Sequence, residues 1–453
     1  MGKAPRPSTT VLSAWIGSRG RQIAHTGLWS LIAKLCAAGN LFISVPFVLH
    51  SLGAEQFGAW ATLVSMVAFA GFLDFGFGNG AMNLVAAAHV RNSTTEISTV
   101  LRESGKALMG IAGVLAVIAL IALPLVPWHH LLGMPDSMSA MCRAAVATVL
   151  FSIIVAVPLN LANRIQLGLG RGERAFRWQA AGQMVALAIV ISLAKSNASL
   201  VALTAATVAT PLLASIANTF NLWRDPSVRA TSSPSLEERT AIRRHVMRDG
   251  MLFFVLQLAA ALAFSADLPL ISTFRGPSEA GTYAIAQRLF SVIPLGLSLI
   301  WAPLWPIYRQ ALATNHHEWV KRTLLYSLVS AVLFSTVAAA ILAFGFDSII
   351  SLWIQRPLAI SGALLAGFGL WCVIEAAGTA VATFLNAASV MRYQAIIATA
   401  FAAICICAKV WAIQEFGMVS IPWVTIVTYS LVNALPLSWF GPRIFSGVFA
   451  KKY

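Results

Sequence analysis

Twelve long apolar runs, separated by short polar loops, dominate the sequence. A membrane hydrocarbon core requires about 20 consecutive apolar residues per spanning helix. Runs of roughly that length occupy residues 28–50, 58–82, 105–127, 141–163, 178–195, 199–223, 249–273, 281–308, 321–345, 358–386, 392–414 and 418–441. Alternating ten-residue segments, the mark of a transmembrane β-barrel, are absent. The pattern therefore predicts an all-α integral membrane protein with twelve transmembrane helices.

The composition agrees with a membrane protein and excludes a soluble one. Charged residues make up 10% of the 453 residues and hydrophobic residues 58%, whereas a soluble domain carries about 25% charged residues. A soluble protein with so few charged side chains could not cover its own surface with them.

Lys and Arg are distributed unevenly between the two sides of the predicted membrane. If the N-terminus is cytoplasmic, 24 of the 31 Lys and Arg residues fall in cytoplasmic segments and only four in the opposite loops. Cytoplasmic loops collect Lys and Arg, so the sequence predicts that both termini are cytoplasmic. The net charge of +15 follows from this asymmetry and from attraction to anionic headgroups. Basic residues scattered in this way, without an aromatic platform, argue against a nucleic-acid partner.

A shift of 223 residues aligns the segment 28–61 with the segment 251–284. The matched positions include residue types that fix backbone or interface geometry: Pro46 with Pro269, Gly53 with Gly276, Gly58 with Gly281, and Trp60 with Tyr283. Both segments cross the membrane in the same direction. The match predicts a parallel repeat, in which two six-helix lobes are related by a pseudo-two-fold axis along the membrane normal.

The longest polar interruption, rich in Ser, Pro and charge, separates spans six and seven and predicts a linker. We therefore predict four segments. They are a cytoplasmic N-terminal segment (1–27), an N-lobe with helices 1–6 (28–223), a cytoplasmic linker (224–248), and a C-lobe with helices 7–12 and a short cytoplasmic C-terminus (249–453).

Six ionisable side chains lie inside predicted spans, where each costs about 2.5–3.5 kcal/mol on insertion scales. They are Lys34, Asp74, Asp267, Arg288, Glu375 and Lys409. Such groups face a water-filled cavity or a partner, although structural ion pairs or snorkelling to the interface would also explain them. The three cations, on helices of both lobes, would suit an anionic group such as a phosphate. The three carboxylates could hold these cations in place or bind a coupling H⁺ or Na⁺.

Glycines and prolines are concentrated in two of the predicted spans. In "FLDFGFGNGAMN", residues 72–83, the aspartate is followed by Gly76, Gly78 and Gly80. Each glycine lowers helix propensity by about 1 kcal/mol relative to Ala, which permits a bend or a close helix approach; tight helix packing is the alternative explanation. The stretch "SVIPLGLSLIWAPLWPIY", residues 291–308, contains Pro294, Pro303 and Pro306 and predicts a broken or bent eighth helix.

Several other chemistries have no motif in this sequence. No GxxxxGK[ST] loop is present, which argues against an ATP-driven pump within this chain. The pairs His129-His130 and His316-His317 sit in loops without other ligands next to them in the sequence, so no metal site is expected. The extracytoplasmic loops are short, whereas a polymerase or ligase of lipid-linked sugars usually needs a large external loop. We expect neither enzymatic activity nor a cofactor.

The stretch "LGAEQFGAWATLVSMVAFAGFLDFGFGNGAMN", residues 52–83, begins with Leu52-Gly53, Glu55 and Phe57-Gly58 and ends near Asp74-Phe75-Gly76. This arrangement resembles the polysaccharide flippase (Wzx-type) branch of the multidrug/oligosaccharidyl-lipid/polysaccharide exporter superfamily. "GPSEAGTYAIAQRLFSVI" (276–293) and "FLNAASVMRYQA" (384–395) look like further stretches of that family. In length, span layout and repeat, the resemblance covers the whole chain.

The resemblance implies a V-shaped pair of six-helix lobes around a central cavity that works by alternating access. It implies a polyprenyl-pyrophosphate-linked oligosaccharide as cargo, moved from the cytoplasmic to the outer leaflet of a bacterial inner membrane for O-antigen lipopolysaccharide or exopolysaccharide biosynthesis. Membrane lipids and polysaccharide polymerase or export proteins are the implied partners. Asp74, Arg288 and Lys409 match positions where family members keep functional charges, and Lys34, Asp267 and Glu375 match less clearly.

Three functional hypotheses follow from the sequence. In a lipid-linked oligosaccharide flippase, the pyrophosphate would pair with Lys34, Arg288 and Lys409, while the glycan fills the cavity and the lipid tail stays in the bilayer. In a cation-coupled multidrug exporter, the carboxylates would form the ion site, but three cations against three carboxylates leave little attraction for a cationic drug. A non-transporting scaffold of a glycan-synthesis complex would give no reason for six ionisable groups inside the bilayer.

Overall fold

The computed structural model describes residues 9–67, 73–74, 76–229, 239–240, 242, 244, 258–313, 316–388, 390–439 and 441. These residues form helices joined by short connections, without a strand among them, which confirms the all-α fold class. The helices of the first half are α1 (Thr9–Met66), α2 (Phe77–Val90), α3 (Thr94–Leu125), α4 (Trp128–Leu131), α5 (Ser139–Gly168), α6 (Gly172–Lys195), α7 (Leu200–Val208) and α8 (Thr210–Arg224).

The second half is built in the same way from helices of mixed length. They are α9 (Asp267–Arg275), α10 (Pro277–Phe290), α11 (Val292–Ala313), α12 (His317–Phe344), α13 (Phe346–Ile354), α14 (Gly362–Ala387), α15 (Met391–Phe416) and α16 (Ser420–Tyr429). Two π-helical turns, Ala261–Ser265 and Ser430–Ala434, lie just before α9 and just after α16.

Among the described residues, nine helices are long and apolar enough to cross a membrane. A tenth is added if Leu258–Ser265 and Asp267–Arg275, bent by 40° from each other, form one span. Predicted spans two and eight are not among these helices of the described residues, and both are interrupted. Span two is divided between the end of α1 and the start of α2, and span eight breaks at Ser291, between α10 and α11. The number of twelve transmembrane helices therefore stays a prediction.

The positions matched by the 223-residue shift share their backbone geometry. Gly53 (φ 75°, ψ 173°) interrupts α1, and Gly276 (φ 91°, ψ 164°) separates α9 from α10. Both conformations lie in a region that glycine adopts without steric cost. Gly58 and Gly281, also matched, pack against each other, and a Cβ on Gly281 would lie 3.1 Å from the Gly58 Cα atom. These observations support the parallel repeat.

The helices of each half pack mainly on one another. In the first half α1 packs on α6, and α2 and α3 pack on α5; in the second, α12 packs on α14 and α15 packs on α16. The halves meet mainly where α1 contacts α10, around the buried side chains of Phe57, Trp60 and Tyr283. Most of the predicted linker 224–248 lies outside the described residues, so the lobe boundaries stay predictions.

Further contacts join the two halves towards the end of the bundle that the charge distribution predicts to be extracytoplasmic. Ser272 Oγ donates a hydrogen bond to the Leu132 carbonyl at 2.8 Å. Trp353 Nε1 donates to the Phe42 carbonyl at 2.9 Å. Gly133, at φ 64°, lies so close to the second half that a Cβ would be 2.5 Å from the Ser272 carbonyl oxygen. The backbones of the two halves therefore approach each other directly at this end.

Candidate functional site

A cavity of about 420 Å³ lies between the two halves. One wall belongs to α1 and includes Leu41, Ala61, Val64 and Ser65. The opposite wall is formed by residues of α9, α10, α11, α14 and α16. Three of the six predicted intramembrane ionisable side chains line this one cavity, together with the predicted hinge residue Pro294: they are Asp267, Arg288 and Glu375.

Asp267 is the centre of a buried polar network beside the cavity. Lys409, on α15, is 0% exposed, and its Nζ donates to Asp267 Oδ1 at 2.6 Å and to the Ala263 carbonyl at 2.6 Å. The Tyr283 hydroxyl donates to Asp267 Oδ2 at 3.2 Å. Ala263 lies in the π-helical turn Ala261–Ser265, which interrupts the α-helical hydrogen-bond ladder. Lys409 is thus neutralised and hydrogen-bonded within the second half in this conformation.

Arg288, on α10, has a different environment. It is 7% exposed, and its guanidinium carbon lies 5.0 Å from the centre of the Trp60 ring on α1, within the range of a cation–π interaction. Its Nη1 is buried and has no hydrogen-bond acceptor among the residues that the structure describes. A buried charge that lacks a partner is strongly unfavourable, so this nitrogen is well suited to bind an anionic ligand.

Glu375, on α14, lines the same cavity. Its backbone carbonyl accepts a hydrogen bond from Thr379 Oγ1 at 2.8 Å. Its carboxylate forms neither an ion pair nor a hydrogen bond with another residue in the described ranges, Arg288 included. The cavity therefore contains one cation and one anion that the fold leaves available, next to the neutral pair of Asp267 and Lys409.

Lys34 lies outside the cavity but connects the two halves. Its Nζ, on α1, donates to Ser298 Oγ on α11 at 3.2 Å. Ser298 follows Pro294 by about one helical turn. A neutral hydroxyl is a weak partner for an ammonium group, which would pair more strongly with a carboxylate or a phosphate.

Asp74 is buried away from the cavity, in the turn before α2. Its Oδ1 accepts a hydrogen bond from the Gly76 N–H at 2.9 Å, and its carbonyl accepts one from the Phe77 N–H at 2.9 Å. A carboxylate at a helix N-terminus is favourable for the helix dipole. Gly78 makes room for it, since a Cβ there would lie 2.6 Å from Asp74 Oδ2. These contacts order the turn before α2, while the role of Asp74 in coupling or charge pairing stays a prediction.

The predicted hinge residues occupy several different environments. Gly76 has φ 76° and caps α2, and Gly80 is buried within α2. Pro294 explains the break at Ser291, because a proline cannot donate to the carbonyl four residues earlier. That carbonyl, of Phe290, instead accepts from Cys372 Sγ at 3.7 Å. The predicted interruption of span eight is thereby confirmed. Pro303 and Pro306 lie within α11, and their side chains are outside the described part of the chain.

Sequence reasoning missed two aromatic residues of the site. Trp60 contacts Arg288, and Tyr283 donates a hydrogen bond to Asp267. The signal was present in the repeat, where the two aromatics match each other. Trp60 of the first half and Tyr283 of the second half each contact an ionisable side chain that belongs to the second half.

The chain is similar to known proteins in both sequence and structure. A family model described as polysaccharide biosynthesis protein matches residues 23–311. The succinoglycan biosynthesis transport protein ExoT of Rhizobium meliloti (strain 1021) is 24% identical over 323 residues. That match covers 70% of this chain and 58% of ExoT, so the chain spans less than two thirds of this relative.

Solved transporter structures share the fold over nearly the whole chain. An inward-facing multidrug resistance MATE family transporter of the MOP superfamily aligns with a TM-score of 0.75 at 15% identity, covering 93% of this chain and 100% of that one. A MOP superfamily transporter from Pyrococcus furiosus, described as having a binding pocket of reversed polarity, aligns with a TM-score of 0.67 at 13% identity, covering 96% and 97%. At such identities the likeness shows the fold alone, and it confirms the predicted fold class.

Proposed function

Because the chain belongs to the polysaccharide biosynthesis protein family, we propose that it moves a polyprenyl-pyrophosphate-linked oligosaccharide across the bacterial inner membrane. A transporter of this proposed cargo requires a site for its anionic headgroup. The buried Nη1 of Arg288, which has no acceptor among the described residues, is the observation that carries the proposal.

In this proposal Arg288 binds the pyrophosphate. A guanidinium presents a rigid fork of donors that matches phosphate oxygens, and the Trp60 ring holds it at the cavity wall. Lys34 would supply a second cation by exchanging the Ser298 hydroxyl for a phosphate oxygen. Lys409 would contribute only if Asp267 released it, so its main effect in this conformation is to neutralise that carboxylate.

The cavity limits how much of the cargo this conformation could hold. A volume of about 420 Å³ is near the lower end of the roughly 300–1,000 Å³ of ligand pockets. It suits the headgroup and the first sugar, with Gln287 and Trp371 among the lining side chains. A longer glycan would require the halves to separate further, while the lipid tail would remain in the bilayer.

A deletion strain tests the proposal directly. We expect a glycan on polyprenyl pyrophosphate to accumulate while the surface polysaccharide is lost. Arg288→Ala should fail to restore the polysaccharide although the amount of folded protein, measured by fluorescence-detected size exclusion, is unchanged. Arg143→Ala, which removes an exposed arginine of α5, is the matched control and should restore it. Normal polysaccharide in the Arg288→Ala strain would overturn the proposal.

A cation-coupled multidrug exporter is the second candidate, favoured by Glu375. An unpaired carboxylate in the cavity would attract a cation, and two carboxylates line the cavity against one cation. If the chain is such an exporter, the deletion strain should be more sensitive to drugs. The native chain should restore drug resistance, whereas Glu375→Gln should not. Unchanged sensitivity, together with accumulation of the lipid-linked glycan, would exclude it. A scaffold without transport would instead tolerate Arg288→Ala, since the halves still assemble.

A further inference from the structure

The connection between α3 and α5, which includes α4, brings Asp136 next to the adjacent pair His129 and His130. His129 and His130 have no other ligand directly beside them in the sequence, so no metal site is expected from the sequence. In the structure, His129 Nε2 lies 2.9 Å and His130 Nε2 lies 3.8 Å from Asp136 Oδ1. The three ligand atoms lie within 4.8 Å of one another. We propose that His129, His130 and Asp136 form a binding site for a divalent transition-metal ion such as Zn²⁺.

Two of the three separations between ligand atoms lie close to those around a tetrahedral ion. Zn²⁺ binds imidazole nitrogen at about 2.0–2.1 Å and carboxylate oxygen at about 2.0–2.2 Å, so neighbouring ligand atoms lie about 3.3 Å apart. The two nitrogen–oxygen distances, 2.9 and 3.8 Å, lie on either side of that value. Small side-chain rotations would equalise them. Two imidazoles and one carboxylate favour Zn²⁺, Cu²⁺ or Ni²⁺ over Ca²⁺ and Mg²⁺, which prefer oxygen ligands.

Backbone hydrogen bonds already fix the main chain of the segment that carries the ligands. The Gly133 N–H donates to the His130 carbonyl at 3.0 Å, and the Met134 N–H donates to the His129 carbonyl at 2.8 Å. Gly133 at φ 64° turns the chain towards Asp136, while the Met134 side chain is 3% exposed and packs into the core. Preorganisation of this kind reduces the entropy lost on binding. The outer ligands remain accessible, because the side chains of His130 and Asp136 are 66% and 85% exposed.

The same loop provides the first half's side of one of the contacts between the halves. The Leu131 carbonyl accepts from Thr273 Oγ1 at 2.7 Å, and the Leu132 carbonyl accepts from Ser272 Oγ at 2.8 Å. A metal ion bound to His129, His130 and Asp136 would fix the shape that these carbonyls need to meet α9. Metal binding and closure of this end are then coupled, and the coupling is reciprocal.

Titration of the full-length protein tests the site. Protein without a polyhistidine tag, purified in detergent and freed of metal, would be titrated with Zn²⁺ in competition with a chromophoric indicator. We expect one Zn²⁺ per chain in the native protein. His129→Ala and Asp136→Asn should each weaken binding by at least about tenfold, since losing even a residue that only orients a ligand typically costs that much. His89→Ala, which removes an exposed histidine of α2, is the control and should bind as the native protein does.

Two results would overturn the site: no Zn²⁺ bound by the native chain, or equal binding by His129→Ala, Asp136→Asn and native protein. The coupling has its own test in Ser272→Ala combined with Thr273→Val, which removes both hydrogen bonds to the loop but no ligand. We expect Zn²⁺ affinity to fall by about fivefold, the lower range of allosteric coupling. Native affinity in this double variant would show that the ion binds without influence on the contact between the halves.

Discussion

Lys409 and Arg288 are both buried cations of the second half, but their surroundings differ. Lys409 donates to Asp267 and to the Ala263 carbonyl, both at 2.6 Å. Arg288 stacks on Trp60 and retains a buried Nη1 without an acceptor among the described residues. From their positions in apolar runs the two residues are equivalent. The difference teaches that a charge inside a membrane span indicates a ligand site only where the fold does not already supply the opposite charge.

The largest effect is expected when Lys409 loses its acidic partner and becomes, like Arg288, a buried cation without a carboxylate beside it. Asp267→Ala removes the carboxylate and leaves a wholly buried ammonium group without its counter-charge. Breaking a buried ion pair on one side costs about 3–5 kcal/mol, so the free energy of unfolding should fall by about that amount. Reversible unfolding in mixed detergent micelles would measure it.

A double variant separates charge from packing. Asp267→Leu with Lys409→Met replaces the pair by apolar side chains, and such replacements are often neutral or stabilising. We therefore expect the unfolding free energy to return close to the native value. If the double variant is as unstable as Asp267→Ala, the network holds the helices together by more than charge compensation, and the comparison with Arg288 fails.

The contact between Trp60 and Arg288 should contribute less to stability. Trp60→Phe keeps an aromatic ring but weakens the cation–π interaction and removes the indole N–H that donates to Thr207 Oγ1 at 3.3 Å. A loss of about 1–2 kcal/mol is expected from these two contributions. Thermal unfolding of the purified variant would show it. Thr207→Val removes this hydrogen bond together with the one that Thr207 Oγ1 donates to the Leu203 carbonyl at 2.8 Å. A smaller loss in Thr207→Val than in Trp60→Phe would therefore indicate the cation–π contribution.

Arg288 itself should contribute little to stability and much to transport. Arg288→Met removes a poorly compensated buried charge, and the lost cation–π interaction is worth about 1 kcal/mol. The unfolding free energy should therefore change by about 1 kcal/mol or less, while export of the polysaccharide is abolished. A destabilisation comparable with that of Asp267→Ala would mean that Arg288 is a structural cation like Lys409.

The sequence predicted the fold class because the length and hydropathy of an apolar run are local properties. It also predicted that Gly53 and Gly276 are equivalent, and their shared backbone geometry supports this. The number of spans was less accessible, because the interruption at Ser291 leaves the composition of span eight apolar. The hydropathy of a segment cannot distinguish one long helix from two short ones.

The candidate site was predicted in part. Asp267, Arg288 and Glu375 line one cavity, in agreement with the prediction that ionisable side chains inside the spans face a cavity. The pairing of Asp267 with Lys409 joins residues 142 positions apart and depends on how α9 and α15 pack, which no local pattern records. His129, His130 and Asp136 show the same limit, since the turn at Gly133 decides their proximity.

A second ion pair, which is more exposed to solvent than that of Asp267 and Lys409, tests the same comparison. Asp225, just after α8, contacts Arg171 and lies 3.0 Å from Arg174 Nη1. Burial raises the pKa of Asp225, but the hydrogen bonds from Ser227 and the two arginines outweigh it and leave the pKa below its usual value. Solvent screens such pairs, which contribute about 0.2–1 kcal/mol.

Asp225→Asn should therefore lower the unfolding free energy by less than 1 kcal/mol, the smallest effect of the series. Because the pKa is lower in the folded state, this contribution is complete above the ordinary aspartate pKa of about 3.9 and is lost as the pH falls through the lowered folded value. Unfolding measured from pH 7 to pH 3 should show native protein and Asp225→Asn converging at the acid end. If Asp225→Asn costs as much as Asp267→Ala, burial does not account for the importance of the Lys409 pair.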